Sequence, residues 1–306
     1  MAHPSVSVVV PTRNRRSLVA ENAAAILAQD PVELIFVDDG SEDGTADLIR
    51  SLAADDPRLS VVDGGGNGVV AARLNGVRSA AGDVVLLLDD DVIGRPGLID
   101  AHARLQEDGP GTVVLGYMPL DEGERRRTIP EDLYCKEYER HVGNWEDDPT
   151  SILPTLWAGN LSLHRSDYLA LAPAISEIPS FYHEDADFGL CCDEAGLTGR
   201  FDRNALAVHR YSRDFTAFLR DAQRSAASLA SLEERHPGTR LPPAEVPFAG
   251  LSRAQSATVR LAARHAGVRH GLRLGASISE ATHQRRVGRR IGDVSWRAEQ
   301  VRYLDS

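Results

Sequence analysis

The chain holds 306 residues with 45 Asp and Glu against 34 Lys and Arg, a formal net charge of −11. That length accommodates one α/β domain with a sizeable core plus an appendage, and the acidic balance argues against a generic nucleic-acid binder, which carries a basic footprint. No apolar run approaches the roughly eighteen residues that span a bilayer, nothing before Val6 reads as a signal peptide, and Cys135, Cys191 and Cys192 cannot all pair, so the expected setting is a reducing cytoplasm, soluble or peripheral to a membrane.

In chain order, Val6–Val10 predicts a strand closed by Pro11-Thr12-Arg13-Asn14, with a helix from about Ser17 to Gln29. Glu33–Val37 predicts a second strand, ending in Asp38-Asp39-Gly40-Ser41 and followed by a helix over Ala46–Leu52. Val61-Val62 is a short strand before a glycine-rich loop. Leu86–Leu88 ends a third apolar strand in three consecutive carboxylates, Asp89-Asp90-Asp91. This alternation to about Leu120, with Val113–Gly116 as a further strand, is the pattern of a doubly wound sheet.

Carboxylates this close raise one another's pKa and repel unless a metal or a basic group neutralises them. A hard divalent ion with oxygen ligands, itself holding a phosphate, answers that need; an acidic surface turn is the other reading. In an open parallel α/β sheet, ligands bind beyond the carboxyl ends of the strands, so the three polar strand ends are expected to meet at one site. The loop Gly64-Gly65-Gly66-Asn67-Gly68 is not a dinucleotide fingerprint. It follows the wrong strand and carries Val69 where the third glycine belongs.

Four segments in order resemble the inverting family 2 glycosyltransferases of the GT-A fold: Val8–Asn14, Val37–Asp43, Asn67–Gly76 and Gly82–Asp91. Trp157-Ala-Gly159-Asn160-Leu-Ser162 and His183-Glu184-Asp185-Ala-Asp187-Phe188 extend the likeness to about residues 5–210. The resemblance implies an α/β, Rossmann-like and mostly parallel sheet flanked by helices. It implies a catalytic domain over 1–212, with a donor half to about 120 and an acceptor half from 121, and a helical extension over 213–306.

The resemblance also implies the site. Asp91 matches the family's metal ligand for Mn²⁺ or Mg²⁺, with Asp89 and Asp90 on the ribose or the metal's shell. Asp39 matches the acceptor of the uracil imide N–H, which favours a UDP- or dTDP-sugar donor. Pro11, Thr12 and Arg13 lie where the family packs the base, and Arg73 where it places a guanidinium near the nucleotide, although a helix-surface arginine is the alternative. Asp185 matches the general base that deprotonates a hydroxyl acceptor, with Glu184 beside it binding acceptor or tuning it; acidic residues also suit the N-terminus of the helix that Asp185–Asp193 predicts. Trp157, Gly159 and Asn160 match the acceptor side, and His209 stands where some relatives supply a further metal ligand; Trp157 and His209 also admit purely structural readings. A nucleotidyltransferase of related topology and a non-catalytic sugar-nucleotide-binding subunit are the competing functions.

Residues 121–150 read as a polar, partly helical insertion, Asp214–His236 as a long amphipathic helix and Pro237–Pro247 as a linker. Ala254–Gly275 and Thr282–Val301 then read as Arg-rich helical segments. Residues 251–306 carry eleven Arg against four acidic residues, a local +7 that leaves −18 for the rest. Packing within a homo-oligomer or over the acceptor cleft is the expected role of this tail, ahead of peripheral contact with anionic lipid.

Overall fold

The computed structural model describes residues 3–121, 127–179, 182–238, 247–248 and 250–304, apart from the side chain of Ala230. Parts of the expected insertion (122–126) and most of the expected linker (239–246) lie outside these residues. The chain forms two compact units: Met1–Asp121 with His141–Ser180 and Glu184–Arg210, and Glu122–Arg140 with Phe181–His183 and Tyr211–Ser306.

The first unit is built on strands β1 (Val6–Thr12), β2 (Glu33–Asp38), β3 (Leu59–Asp63), β4 (Val84–Leu88), β5 (Val92–Gly94), β6 (Thr112–Tyr117), β7 (Asn160–His164) and β8 (Thr198–His209). Helices α1 (Val19–Leu27), α2 (Thr45–Ala53), α3 (Val69–Ser79) and α4 (Leu98–Leu105) connect the early strands. Helix α5 (Ile129–Asp147) has its residues from His141 onward in this unit, followed by α6 (Arg165–Ala170), α7 (Ala172–Ser176) and α8 (Glu184–Glu194).

The sheet order is β3-β2-β1-β4-β7-β6-β8-β5. From β3 to β4 every pairing is parallel, as the alternating apolar runs and helices predict. Beyond β4 the sheet is mixed, because β7 runs antiparallel to both β4 and β6. Register brings the polar ends to one edge: Thr12 faces Asp38, Asp38 faces Asp63, Leu88 faces Asn160 and Val92 faces His209. All of β1 and β4 is buried, so a one-residue slip would misplace the whole of each strand and its acidic end with it.

A buried polar network fixes β7. The ring of His102 on α4 lies 2.8 Å from Ser162 Oγ and 3.0 Å from Asn160 Oδ1, and the Gln106 amide donates to the Ser162 carbonyl at 3.0 Å. Gly116 of β6 leaves room for this network: a Cβ there would stand 2.2 Å from Asn160 Nδ2 and 2.4 Å from the Ala205 carbonyl oxygen.

The second unit packs α9 (Phe215–Arg235), α10 (Arg253–Arg264), α11 (Ala266–Ala281) and α12 (Arg285–Leu304) with the start of α5. Asp214 caps α9 by accepting from Ala217 N at 2.7 Å, and Ser252 with Gln255 forms a capping box on α10. The segment expected as one helix over Ala254–Gly275 is two, broken at His265, whose φ of −115° and ψ of 113° are extended. Val259, Ala262, Ala263, Ala298 and Val301 form its core, and Trp296 sets its ring 4.8 Å from that of Phe218. Among the described residues no helix is long and apolar enough to cross a membrane.

His102 is fully buried, and burial pushes its imidazole from the ordinary 6.5 down to about 4. Between those values the unfolded chain holds the extra proton and the fold does not, so stability is lost as pH falls through that window, by roughly 2 kcal/mol at pH 5. Urea denaturation of His102→Gln at pH 7 and pH 5 is therefore expected to show a pH dependence flatter than that of the natural chain by about 1–2 kcal/mol. An unchanged difference between the two pH values would remove His102 from the account.

Candidate active site

The loops after β1 and β2 hold each other by short polar contacts. Asn14, with a positive φ of 55°, accepts from Glu42 N through its side-chain oxygen, while Ser41 Oγ accepts from Asn14 N and Thr45 Oγ1 accepts from Arg15 N. Pro11 and Thr12 are buried at the end of β1, and Arg13 projects into solvent. Asp39 follows β2 and is 6% exposed. Its Oδ2 accepts from Gly68 N at 2.9 Å, whereas Oδ1 is buried with no hydrogen-bond partner among the described residues. The glycine-rich loop thus closes on Asp39, and Gly64 is needed there, since a Cβ would stand 3.0 Å from the Asp38 carbonyl oxygen and 3.1 Å from Asp39 Oδ1.

The three carboxylates after β4 each lie against a different nitrogen-bearing side chain. Arg73, on the buried face of α3, donates from Nη2 to Asp89 Oδ1 at 2.8 Å and from Nη1 to Asp185 Oδ1 at 2.9 Å. Arg15 donates from Nε to Asp90 at 3.0 Å and reaches Asp91 Oδ2 at 3.5 Å. His209 Nε2 lies 3.2 Å from Asp91 Oδ1. Arg73 is therefore not a helix-surface residue, and Arg15 is a site residue that the motif comparison passes over. Its only signal in the sequence is its place two residues beyond Arg13 in the same loop.

Burial shapes the charges here. It works against the Arg73 cation, but Asp185 and Asp89 outweigh it and hold the guanidinium protonated, above its usual range. Asp89 is pushed upward by burial although Arg73 opposes the shift, and Asp90 is pushed by burial to about 6 against the pull of Arg15. Glu184, at the start of α8, rises to about 8 through burial and the neighbouring charge of Asp185. Its Oε2 is buried without a partner. Asp185 instead accepts on both oxygens, from Arg73 and, at 2.9 Å, from Ala158 N.

The acceptor-side segment divides. Gly159 lies against the acidic run: its carbonyl accepts from Asp89 N at 3.1 Å, and a Cβ would meet Asp89 Oδ2 at 3.0 Å and Met118 Sδ at 2.8 Å. Trp157 is half-buried, its ring 5.2 Å from that of His141. Asn160, expected to face an acceptor, is 1% exposed and spends its amide on the Ala205 carbonyl and its oxygen on His102. The structure gives it a supporting place inside the sheet.

The donor set fits a hard divalent ion. Asp91 and His209 present a carboxylate oxygen and an imidazole nitrogen to each other across 3.2 Å, with Asp89 and Asp90 adjacent, an O and N set suited to Mn²⁺. With an ion bound, such a set would present positive charge beside Asp91 and His209, while Asp185 is tied to Asp89 through one guanidinium.

Arg73→Met should leave Asp89 and Asp185 without their shared counter-charge. Because each carboxylate keeps about a third of its side chain in solvent, the expected loss in urea denaturation is about 2–3 kcal/mol, below that of a fully buried pair. Adding Asp89→Asn and Asp185→Asn should recover part of it. A loss under about 0.5 kcal/mol, the range of an ordinary surface substitution, would contradict the assignment.

The model of glycosyl transferase family 2 matches residues 7–166. Among curated relatives, the uncharacterized glycosyltransferase YfnE of Bacillus subtilis (strain 168) is 28% identical over 251 residues, covering 67% of this chain and 64% of its own. Validoxylamine A glucosyltransferase of Streptomyces hygroscopicus subsp. jinggangensis (strain 5008) is 29% identical over 236 residues, covering 67% of this chain and 55% of its own. The chain thus spans between half and two thirds of the length of these two relatives. Of solved structures, the mannosyltransferase PcManGT from Pyrobaculum calidifontis, in complex with GDP-Man and Mn²⁺, has a TM-score of 0.63 at 20% identity, over 99% of this chain and 88% of that one. Glucosyl-3-phosphoglycerate synthase from Mycobacterium tuberculosis, with Mn²⁺, UDP and glucosyl-3-phosphoglycerate, has a TM-score of 0.50 at 20% identity over 78% of this chain and 81% of that one. These likenesses show the GT-A fold, and with the match over residues 7–166 the chain belongs to glycosyl transferase family 2.

Proposed function

We propose that this chain is a metal-dependent, inverting glycosyltransferase that moves a sugar from a UDP- or dTDP-sugar to a hydroxyl acceptor. One observation carries the reading: the Arg73 guanidinium binds both Asp89, in the acidic run, and Asp185, the candidate base, within 2.9 Å. Donor chemistry and acceptor chemistry are thereby brought to one side chain. A nucleotidyltransferase would want a glycine-bearing phosphate loop after β1, and the segment Pro11–Arg16 contains no glycine.

Asp39 supports the choice of base. With Oδ2 already accepting from Gly68, one oxygen, Oδ1, is left without a partner among the described residues. One acceptor suits the one imide N–H of uracil or thymine; guanine, with adjacent N1–H and N2–H donors, would ask for both oxygens, and cytosine offers no proton at N3. Pro11 and Thr12 would flank the base, with Arg13 free to reach the nucleotide from solvent.

Asp91 and His209 would hold Mn²⁺ or Mg²⁺, which when bound supplies positive charge to the leaving diphosphate. Arg15 adds a second cation on the same side through Asp90 and Asp91. As the acceptor oxygen bonds to the anomeric carbon, its proton passes to the Asp185 carboxylate and the bond from that carbon to the diphosphate oxygen breaks with its electron pair. Attack from the face opposite the diphosphate inverts the centre. Glu184, pushed to about 8, keeps its proton at neutral pH and can donate a hydrogen bond to the acceptor, a role distinct from that of Asp185.

Sugar transfer or donor hydrolysis should disappear in EDTA and return with Mn²⁺ or Mg²⁺, and Asp91→Ala should lose the response to metal. Full activity of that variant in EDTA would refute the metal assignment. Asp185→Asn should retain UDP affinity within a few-fold and lose about 10²–10⁴ in turnover. If affinity collapses while turnover at saturation survives, Asp185 binds donor instead. Asp39→Asn should weaken UDP far more than GDP, and equal losses would detach Asp39 from the base.

A further inference from the structure

The second unit contains a cavity of about 770 Å³ lined by Leu133, Lys136, Gln255, Arg286, Arg289, Arg290, Asp293 and Arg297. Residues 286, 289, 290, 293 and 297 follow the three- and four-residue spacing of one helical face, so α12 presents four guanidinium groups side by side. Lys136, the single lysine of the whole chain, reaches the same space from α5. Among the described residues one carboxylate lines it, that of Asp293, which Arg297 Nε already binds at 3.0 Å.

Cations collected in a concavity repel one another, and among the described residues Asp293 is the one carboxylate in the lining. Several arginines elsewhere in this acidic chain have carboxylate partners, as Arg15, Arg58, Arg73 and Arg203 do, and others such as Arg165 and Arg269 bond to backbone carbonyls. Lys136, Arg286, Arg289 and Arg290 have no hydrogen-bond or ion-pair partner among the described residues. The helix that carries the arginines is fixed in place, because α12 lies tightly on α5 through glycine. A Cβ at Gly292 would stand 2.5 Å from Leu133 Cδ1, and one at Gly288 would stand 3.0 Å from Ile129 Cγ1. Leu133 is the apolar part of the lining, and the arginines and the lysine supply its charge.

We propose that this cavity binds a phosphate-bearing anion, a phosphate monoester or a diphosphate, separately from the donor site. Guanidinium forks match phosphate oxygens in pairs, and a lysine adds a compact point charge, so the lining suits two or more charged oxygens rather than a single carboxylate. The volume exceeds one phosphate and leaves room for the group that carries it. That carrier is either a soluble phosphorylated molecule or a lipid with its phosphate headgroup, and the Arg-rich tail is then a ligand-binding element. The site lies wholly within the second unit and does not depend on the catalytic reading.

Inorganic pyrophosphate binding to the intact protein, measured by titration calorimetry in EDTA at 0.15 M salt (a Debye length of about 8 Å), tests this directly. Arg286→Gln with Arg290→Gln, both exposed positions, should leave the melting temperature and UDP–Mn²⁺ binding unchanged and weaken pyrophosphate by about tenfold or more, since each charge-assisted contact removed is worth ~1.5 kcal/mol or more. A second arm floats the protein with vesicles of phosphatidylcholine containing phosphatidic acid, against phosphatidylcholine alone. Flotation specific to phosphatidic acid and lost in the double variant supports the site with a lipid source; pyrophosphate binding without flotation supports it with a soluble one. Absence of both, or binding that the double variant leaves intact, overturns the proposal.

Discussion

The first unit is organised around a buried guanidinium. Arg73 sits on the covered face of α3 and binds two carboxylates that the chain separates widely, Asp89 and Asp185, at 2.8 and 2.9 Å. Neither the acidic run nor the start of α8 could pack so closely against its neighbour without that cation, since carboxylates in low dielectric repel and neutralise themselves by taking up protons. The upward shifts of Asp89, Asp90 and Glu184 record how near the site stands to that limit. A site held this way is poised to accept more positive charge, which is what a divalent ion would bring.

The sheet makes the guanidinium effective. Parallel strands β3 to β4 deliver Asp38, Asp39, Asp63 and Asp89 to one edge, and antiparallel β7 returns Gly159 against Asp89. His102, Ser162 and Asn160 keep β7 in register from beneath. Their polar atoms satisfy one another in a water-excluded interior, so the network specifies position rather than chemistry. The glycines at 116 and 159 share a purpose, allowing backbone to approach where any side chain would push the network or Asp89 aside.

Much of this was legible in the sequence, and the parts that were not have physical reasons. Strands β1, β2 and β4 announce themselves as apolar runs because they are buried on both faces, and their acidic ends mark the functional edge. Strand β5 is three residues long, too short to show a period, and β7 alternates polar and apolar over only five residues, Asn-Leu-Ser-Leu-His, too short a run to stand out. The break at His265 carries no proline or glycine; the helical spacing simply resumes at Ala266. Arg73 and Arg15 were visible as arginines, but their partners are set by tertiary approach. The place of Asn160 inside the sheet depends on His102 and Ala205, partners that its motif position does not reveal. That the start of α5 groups with the C-terminal helices is likewise a tertiary fact, invisible in local periodicity.

The central claim is that the acidic edge binds a metal-nucleotide, with Asp91 and His209 on the ion and Asp39 on the base. Anomalous diffraction at the manganese edge, from crystals grown with UDP and Mn²⁺, tests it most directly. The account predicts a manganese peak bonded to a carboxylate oxygen of Asp91 and to His209 Nε2, with the uracil N3–H on Asp39 Oδ1. A manganese peak that touches neither Asp91 nor His209, or a uracil ring away from Asp39, would contradict it.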